Sequence, residues 1–102
     1  MPVIRLSKAD FPPEIFKEVE SRLTESEKIL RPAVVPLNGC LQFYVGIDPV
    51  TNSMTFVSIW ESLADAKQMD TLAPMLKLGK EVTEIGGHCD RPIINFLGLW
   101  EI

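Results

Sequence analysis

GCLQFYVGIDPVTNSMTFVSIWE, residues 39–61, is the stretch that decides the fold of this 102-residue chain. It contains two runs rich in β-branched and aromatic residues, LQFYVGI and MTFVSIW, with a turn-forming cluster at residues 48–53 between them. Such a pattern is typical of a β-hairpin. Pro49 suits the second position of a turn that begins at Asp48, and Asn52 tolerates a left-handed backbone. We therefore expect a hairpin in the middle of a small sheet.

The residues before the hairpin predict a strand and a helix. Residues 2–6 form a short apolar run, which indicates the first strand. A helix is expected from the segment Phe11-Pro-Pro-Glu14 to about Leu30, because prolines are tolerated in a first helical turn and apolar residues then recur on one face. Asp10 is the expected cap of this helix. Pro32 is its expected end, since the residue before a proline avoids helical geometry.

The residues after the hairpin predict two helical pieces and a last strand. Ser62-Leu-Ala-Asp65 resembles a capping box, and it predicts a helix over residues 63–71. A second helical piece is expected over residues 74–85, opened by a proline and closed by a Gly-Gly pair. Residues 88–92 are expected to form a loop, and residues 93–102 a strand.

The order of these elements is β-α-β-β-α-β, which predicts an α+β, ferredoxin-like fold. We expect an antiparallel sheet with the helices on one face. The first and third strands are expected in the centre, parallel to each other, with the second and fourth at the edges. At this length, residues 1–102 are expected to form one domain.

Composition excludes several classes of partner. The formal net charge is −4, the pI is about 4.9, and no block of Lys or Arg occurs. A nucleic-acid partner is therefore not expected. No apolar run approaches the ~20 residues that span a membrane, and the N-terminus lacks the pattern of a signal peptide. A cytoplasmic location without membrane contact follows as the expectation.

The faces of the hairpin predict a partner. If Asp48 pairs with Ser53 across the turn, one face is almost wholly apolar and suits the helices; it carries Leu41, Phe43, Val45, Ile47, Met54, Phe56, Ser58 and Trp60. The opposite face is mixed, with Gln42, Tyr44, Gly46, Thr55, Val57 and Ile59. A solvated face should alternate clearly between apolar and polar residues. We therefore expect a homodimer whose two sheets pack face to face.

Three short motifs carry a resemblance to a known family. They are Leu37-Asn-Gly-Cys-Leu41, then Tyr-Val-Gly-Ile-Asp48, then Phe56-Val-Ser-Ile-Trp-Glu-Ser62 followed by a capped helix with Ala64 and Ala66. This layout resembles the dimeric α/β-barrel superfamily, and within it the antibiotic biosynthesis monooxygenase-type domains. The resemblance covers nearly the whole chain and implies that two ferredoxin-like sheets form a dimeric α/β barrel.

The resemblance implies a cofactor-independent monooxygenase that acts on a small aromatic or polyketide-like compound. The superfamily also contains polyketide cyclases, isomerases, haem-degrading enzymes and stress-induced proteins, so a cyclase or isomerase, or a non-catalytic ligand-binding or stress-responsive dimer, stays open as an alternative. The haem-degrading pattern needs an asparagine on the first strand, followed by a tryptophan and a histidine after the Trp-Glu-Ser segment. Residues 3–6 hold no asparagine, and residues 61–87 hold neither Trp nor His, with Met69 and Leu78 near the expected positions. No cofactor is therefore expected.

The predicted topology places several candidate residues at one end of the sheet. Trp60, Ser7, Cys40 and residues 88–91 are expected to meet there, where an apolar pocket between sheet and helices could open. The expected ligand is a small apolar or aromatic molecule. Its predicted binding residues are Trp60, Phe43, Ser58, Met69 and Met75.

His88 and Tyr44 are the predicted catalytic residues. His88 is the single histidine of the chain, and it would act as a base near neutral pH. Tyr44 would donate a phenolic proton to the substrate. Each has a structural alternative, since His88 follows a helix stop and Tyr44 suits a dimer interface. Trp60 likewise suits the core.

The two cysteines and the single histidine limit other chemistry. Cys40 and Cys89 are expected on opposite edges of the sheet, ~14 Å apart at normal strand spacing, too far for a disulfide. Cys40 is expected to be a small buried residue rather than a nucleophile. His88, Cys89 and Asp90 are consecutive, and adjacent side chains of an extended chain point apart. No metal site is therefore expected.

Overall fold

The fold is a five-stranded sheet with helices packed on one face, seen in a computed structural model that describes residues 2–102. The strands are β1 (Val3–Asp10), β2 (Cys40–Asp48), β3 (Ser53–Trp60), β4 (His88–Cys89) and β5 (Ile94–Leu97). The helices are α1 (Phe16–Val34), α2 (Leu63–Ala66) and α3 (Ala73–Glu84). Short 3₁₀ segments over Pro13–Ile15 and Lys67–Thr71 precede α1 and α3. The predicted α+β, ferredoxin-like class is confirmed.

Strands β1 and β3 occupy the centre of the sheet, as the sequence predicts. The order is β2-β3-β1, and both β4 and β5 pair with the outer side of β1. The expectation that β1 and β3 are parallel is wrong, because they pair antiparallel from Val3 opposite Trp60 to Asp10 opposite Ser53. The hairpin reverses the chain between β2 and β3. Since β3 lies between β2 and β1, it runs against both of them.

The predicted hairpin is confirmed in its turn and in its register as far as the Gln42–Ile59 pair, beyond which an irregularity places Cys40 instead of Leu41 opposite Trp60. Asp48 pairs with Ser53, and Asn52 has a positive φ of 51°. The Asp48 carboxylate accepts a hydrogen bond from Thr51 Oγ1 at 2.7 Å and from the backbone N–H of Val50 at 2.8 Å. These bonds lower the pKa of Asp48, that from Thr51 most. Their contribution to stability is therefore present above the unfolded-state pKa and is lost as the pH falls through the lowered value.

The predicted limits of the first helix are wrong at both ends. Asp10 does not cap it, because β1 extends to Asp10, where this residue pairs with both Ser53 and His88. Pro32 lies inside α1 rather than after it. A proline removes one helical hydrogen bond, but Pro32 is exposed near the end of the helix, and Val34 beyond it is buried against the core. Burial of Val34 favours the extra turn.

The predictions for the second half of the chain are largely confirmed. Ser62 caps α2, with its Oγ accepting a hydrogen bond from the backbone N–H of Asp65 at 3.1 Å. Pro74 lies in the first turn of α3. The last strand is shorter than expected, since β5 covers four residues and residues 98–102 are not in a strand. The predicted loop 88–92 instead begins with β4.

The core lies between the helices and the inward face of the sheet. Val19, Trp60 and Val82 are its largest fully buried side chains. Two clusters make up this core. One is centred on Phe56, Val19 and Val82, and the other on Trp60 with residues from α1 and the Lys67–Thr71 segment.

The opposite face of the sheet, which we call the open face, carries no helix in residues 2–102. Strand pairing places Ile4, Leu6, Tyr44, Val57, Ile59, Ile94 and Phe96 on it. Phe96 is 48% exposed and Tyr44 57%. Within the described part of the chain, no helix combines the length and apolar character that a bilayer crossing needs.

Two glycines provide a matched test of this packing. Gly39 has a φ of +69°, and a Cβ placed there would overlap the Asp65 carboxylate, whereas a Cβ on Gly79 in α3 would meet no atom within 4 Å. We expect Gly39→Ala to destabilise the fold by about 1–3 kcal/mol because of backbone strain. Gly79→Ala should stabilise it by about 0.5–1 kcal/mol, as in other helix interiors. Urea unfolding followed by circular dichroism measures both, and equal effects would contradict the turn geometry.

Candidate functional site

A cleft of about 930 Å³ lies between the inward face of the sheet and the helical layer formed by α3 and the Lys67–Thr71 segment. Its apolar wall includes Phe43 and Phe56 from the sheet and Met69 and Met75 from the helical layer. The two phenylalanine rings pack with centroids 6.0 Å apart. Flexible thioethers opposite aromatic rings suit contact with a flat apolar ligand.

One row of side chains across the sheet gives this cleft its polar character. In the strand register Phe43 is opposite Ser58, Ser58 is opposite Arg5, and Arg5 is opposite Asn95. Directly opposite residues have Cβ atoms about 4.5–5.5 Å apart and point to the same face. All four line the cleft. We call Ser58, Arg5 and Asn95 the polar row.

Arg5 is the buried cation of the polar row. It is 5% exposed, and its Nη2 donates a hydrogen bond to Asp70 Oδ1 at 2.7 Å. The Asp70 side chain, in the Lys67–Thr71 segment, is 52% exposed. An ion pair with one exposed partner is weakened by water. Water can therefore solvate Asp70 if the ion pair opens, whereas Arg5 is too buried for water to replace its partner.

Ser58 is fixed by the tryptophan behind it. The indole Nε1–H of Trp60 donates a hydrogen bond to Ser58 Oγ at 2.8 Å, and Ser58 is 2% exposed. Because the oxygen accepts this bond, the hydroxyl hydrogen can turn toward the cleft as a donor. Trp60 itself is fully buried and does not line the cleft.

Asn95 has an unusual environment on the other side of Arg5. Its Oδ1 is buried, and within residues 2–102 this atom has no hydrogen-bond partner. A buried polar atom without a partner costs free energy. Because Asn95 also lines the cleft, a turn of its side chain would present this acceptor to a donor on a ligand.

The structure brings together four of the five predicted binding residues. Phe43, Ser58, Met69 and Met75 line the cleft, while Trp60 supports it from the core. Predicting their faces needed only the hairpin register and helical spacing.

The expected meeting of His88 with Trp60 at one end of the sheet is wrong. Val3 pairs with Trp60, whereas Asp10, at the other end of β1, pairs with His88. This error follows from the antiparallel order of β1 and β3. His88 is exposed and does not line the cleft.

Tyr44 also lies outside the cleft, on the open face. Its hydroxyl donates a hydrogen bond to Gln42 Oε1. The two cysteines are likewise at opposite ends, since Cys40 pairs with Trp60 and Cys89 with Ala9.

Arg5 and Asp70 were not singled out from the sequence, whereas Asn95 gave a signal as a polar residue in an otherwise apolar strand. One signal was present for Arg5, because Val3, Arg5, Ser7 and Ala9 alternate onto one face of β1 and a charged residue in such a position is rare. Asp70 offered none, since its contact with Arg5 spans 65 positions of the chain.

A second groove of about 650 Å³ runs between α1 and β2. Glu20, Glu27 and Arg31 from α1 and Cys40 from β2 line it. Partial burial raises the pKa of the Cys40 thiol. The thiol therefore stays protonated to higher pH than a free cysteine, which agrees with a structural residue rather than a nucleophile. Among residues 2–102, no group of three or more His, Cys, Asp and Glu side chains could hold a metal ion.

Comparison with known proteins gives a structural result. No protein-family model matches the chain, and no curated protein matches it in sequence. A solved structure from Deinococcus radiodurans, named a "putative antibiotic biosynthesis monooxygenase", matches with a TM-score of 0.74 and 16% identity over 98% of this chain and 95% of the other. The fold is that of the antibiotic biosynthesis monooxygenase-like structures.

Two further structures share this fold. One of the same name from Nitrosomonas europaea matches with a TM-score of 0.70 and 11% identity, over 97% of this chain and 91% of the other. SnoaB from Streptomyces nogalater, named a cofactor-independent oxygenase, matches with a TM-score of 0.62 and 10% identity, over 99% and 96% of the two chains. At sequence identities of 10–16%, these three matches show a shared fold and nothing further.

The raised pKa of Cys40 predicts slow alkylation. In a Cys89→Ser variant, iodoacetamide should modify Cys40 several times more slowly in the folded protein than in urea, because less thiolate is present and the thiol is partly buried. The alkylation rate of the folded protein should keep rising with pH beyond the pH range in which the rate of the unfolded protein levels off. Mass spectrometry of timed samples measures this, and an equal or faster rate in the folded protein would refute the structural role.

Proposed function

We propose that the protein is a cofactor-independent monooxygenase that acts on a small aromatic or polyketide-like compound bound in the cleft. The observation that carries this proposal is the cleft itself, which has apolar walls and one polar row to orient a flat ligand. The shared fold, which includes one structure named a cofactor-independent oxygenase, supports the class of reaction.

The proposed chemistry uses electrons from the substrate. A CH₂ group in the ring of the substrate, acidic because its carbanion is conjugated with an oxygen anion, loses a proton. The resulting carbanion reduces O₂. One oxygen atom becomes a ring carbonyl, and the other leaves as water with the two hydrogens of the CH₂. The side chains of the cleft orient the ring, stabilise the oxygen anion conjugated with the carbanion, and keep bulk water away.

A ligand-binding role without catalysis is the second candidate. The carboxylates that line the cleft are Asp70, which is paired with Arg5, and Glu84. No histidine lines it. This small set of proton acceptors favours binding over demanding acid–base chemistry. A cyclase or isomerase would need the same acceptors and is tested with the same compounds.

Oxygen consumption separates these functions. With anthrone- and hydroquinone-type compounds we expect saturable oxygen uptake, measured by electrode, with the ketone or quinone identified by mass spectrometry. Boiled protein and Val50→Lys, a change in the exposed hairpin turn, serve as controls. Absence of uptake, with saturable quenching of Trp60 fluorescence in a Trp100→Phe variant, would instead establish the binding role. A rearranged product without oxygen uptake would establish the cyclase or isomerase.

The same assay tests His88 and Tyr44, the residues that the sequence predicts to be catalytic. Neither lines the cleft within a single chain. We expect little loss of oxygen uptake in His88→Ala and Tyr44→Phe. A loss of tenfold or more in kcat in either variant, with KM unchanged, would return that residue to the mechanism.

We also propose that the protein is a homodimer that joins two open faces. Three apolar or aromatic side chains on this face, Tyr44, Ile94 and Phe96, are each about half exposed in the single chain. Ile59 and Val57 continue the same surface across β3. Monomeric proteins rarely expose so large an apolar patch, and two sheets about 10 Å apart would cover it.

A lysine on the open face should break this dimer. We expect the wild type to sediment as a dimer at micromolar concentration and Ile59→Lys to sediment as a monomer, because the new charge would be buried at the interface. Val50→Lys adds the same charge at a residue that is 86% exposed in the hairpin turn, and it should stay dimeric. A monomeric wild type, or a dimeric Ile59→Lys, would contradict the proposed interface.

A further inference from the structure

We propose that the polar row is a recognition site for an anionic oxygen on a flat aromatic ligand, and that this anion replaces Asp70 as the partner of Arg5. The inference rests on the proposed function only in placing the ligand in the cleft. Beyond the proposed function, it specifies that the ligand is an anion and names the residues that bind its charged oxygen.

The first argument is the asymmetry of the Arg5–Asp70 ion pair. Arg5 is 95% buried, whereas the Asp70 side chain is half exposed. Removing the anion from a buried cation is costly, but an exposed carboxylate regains water when it turns away. A ligand anion beside Arg5 therefore displaces Asp70 with little loss. The guanidinium offers five N–H donors, and the ion pair with Asp70 involves one nitrogen, Nη2.

The second argument is the arrangement of the two neighbours of Arg5. Ser58 can donate its hydroxyl hydrogen, since its oxygen already accepts from Trp60. Asn95 Oδ1 lacks a donor among residues 2–102. The Cβ atoms of Arg5 and Asn95 are about 4.5–5.5 Å apart across the strands. The matching ligand therefore carries an ionised oxygen with a neutral hydroxyl on the adjacent ring position.

The third argument is the charge of the cleft. The cationic residues that line the cleft are Arg5, Lys8, Lys67, Lys80 and Arg91, against the carboxylates of Asp70 and Glu84. The chain as a whole carries a formal net charge of −4. A positive region in an acidic protein attracts anions and raises their local concentration.

Two kinds of ligand share this chemistry, an aromatic carboxylate and an ionised phenol. A hydroxynaphthoate with its hydroxyl ortho to the carboxylate represents the first, and a nitro-substituted ortho-dihydroxynaphthalene, singly ionised at neutral pH so that one hydroxyl stays neutral, represents the second. Unsubstituted naphthol, neutral at this pH, is the control ligand. We expect at least one of the two anions to bind roughly tenfold or more tightly than naphthol, as charge-assisted hydrogen bonds require. The anion that binds more tightly shows whether the site prefers an aromatic carboxylate or an ionised phenol.

Variants of the ion pair give effects in opposite directions. Arg5→Met should lower the affinity for the anion about tenfold or more and leave naphthol unchanged. Asp70→Asn should raise the affinity for the anion, because it removes the competing carboxylate. Arg22→Gln removes a cation from an ion pair with Glu18 and Glu81 outside the cleft, and it should change neither affinity. Asp70→Asn keeps the proposal falsifiable if Arg5→Met fails to fold.

Titration calorimetry with the intact chain measures these affinities without reference to turnover. Naphthol binding as tightly as both anions, or anion affinity unchanged in Arg5→Met and not raised in Asp70→Asn, would overturn the proposal. Anion binding that depends on Arg5 without any oxygen uptake would support the polar row and reject the oxygenase. Oxygen uptake with a substrate whose affinity is unchanged in Arg5→Met would support the oxygenase and reject the polar row as its recognition site.

Discussion

The fold depends on β3 being paired on both sides, with β2 along one edge and β1 along the other. This double pairing fixes which side chains of the three strands point toward the helices. It places Trp60 in the core. Two residues earlier in β3, it places Ser58 between Phe43 of β2 and Arg5 of β1. A shift of one residue in either ladder would move Arg5 or Phe43 to the other face. The register of β3 thus determines the chemistry of the cleft as well as the core.

Local signals predicted much of this fold. The turn after Asp48, the cap at Ser62 and the apolar alternation of the hairpin all depend on neighbouring residues, and all three are confirmed. The errors concern competition between local preference and distant contacts. Pro32 should end a helix by its own geometry, but burial of Val34 extends it. The relative direction of β1 and β3 is set by how three strands assemble, which no single segment encodes. The homodimer, cytoplasmic location and lack of a nucleic-acid partner stay predictions.

The apolar part of the candidate site and Ser58 were predictable from the sequence, whereas Arg5 and Asp70 were not. Phe43 and Met75 lie on faces that periodicity identifies, so their presence in the cleft follows from local pattern. That Ser58, Arg5 and Asn95 lie side by side could not be predicted in the same way, because each comes from a different strand and only the pairing of the strands brings them together. Asn95 shows this best, since an asparagine in an apolar strand signals a need for a partner but not where that partner is.

The outer side of β1 is paired in two separate pieces. Strand β5 ends its pairing at Leu6, and β4 begins at Ala9. The backbone N–H of Asp90 still donates to Lys8 O at 2.8 Å, and the chain after it contributes Pro92 and Ile93 to the wall of the cleft. A continuous edge strand would have closed this side with an unbroken ladder of hydrogen bonds. At this interruption the wall of the cleft is formed by the loop at residues 91–93 instead of a strand. Entry of a small molecule at this edge would break none of the strand pairs of β1.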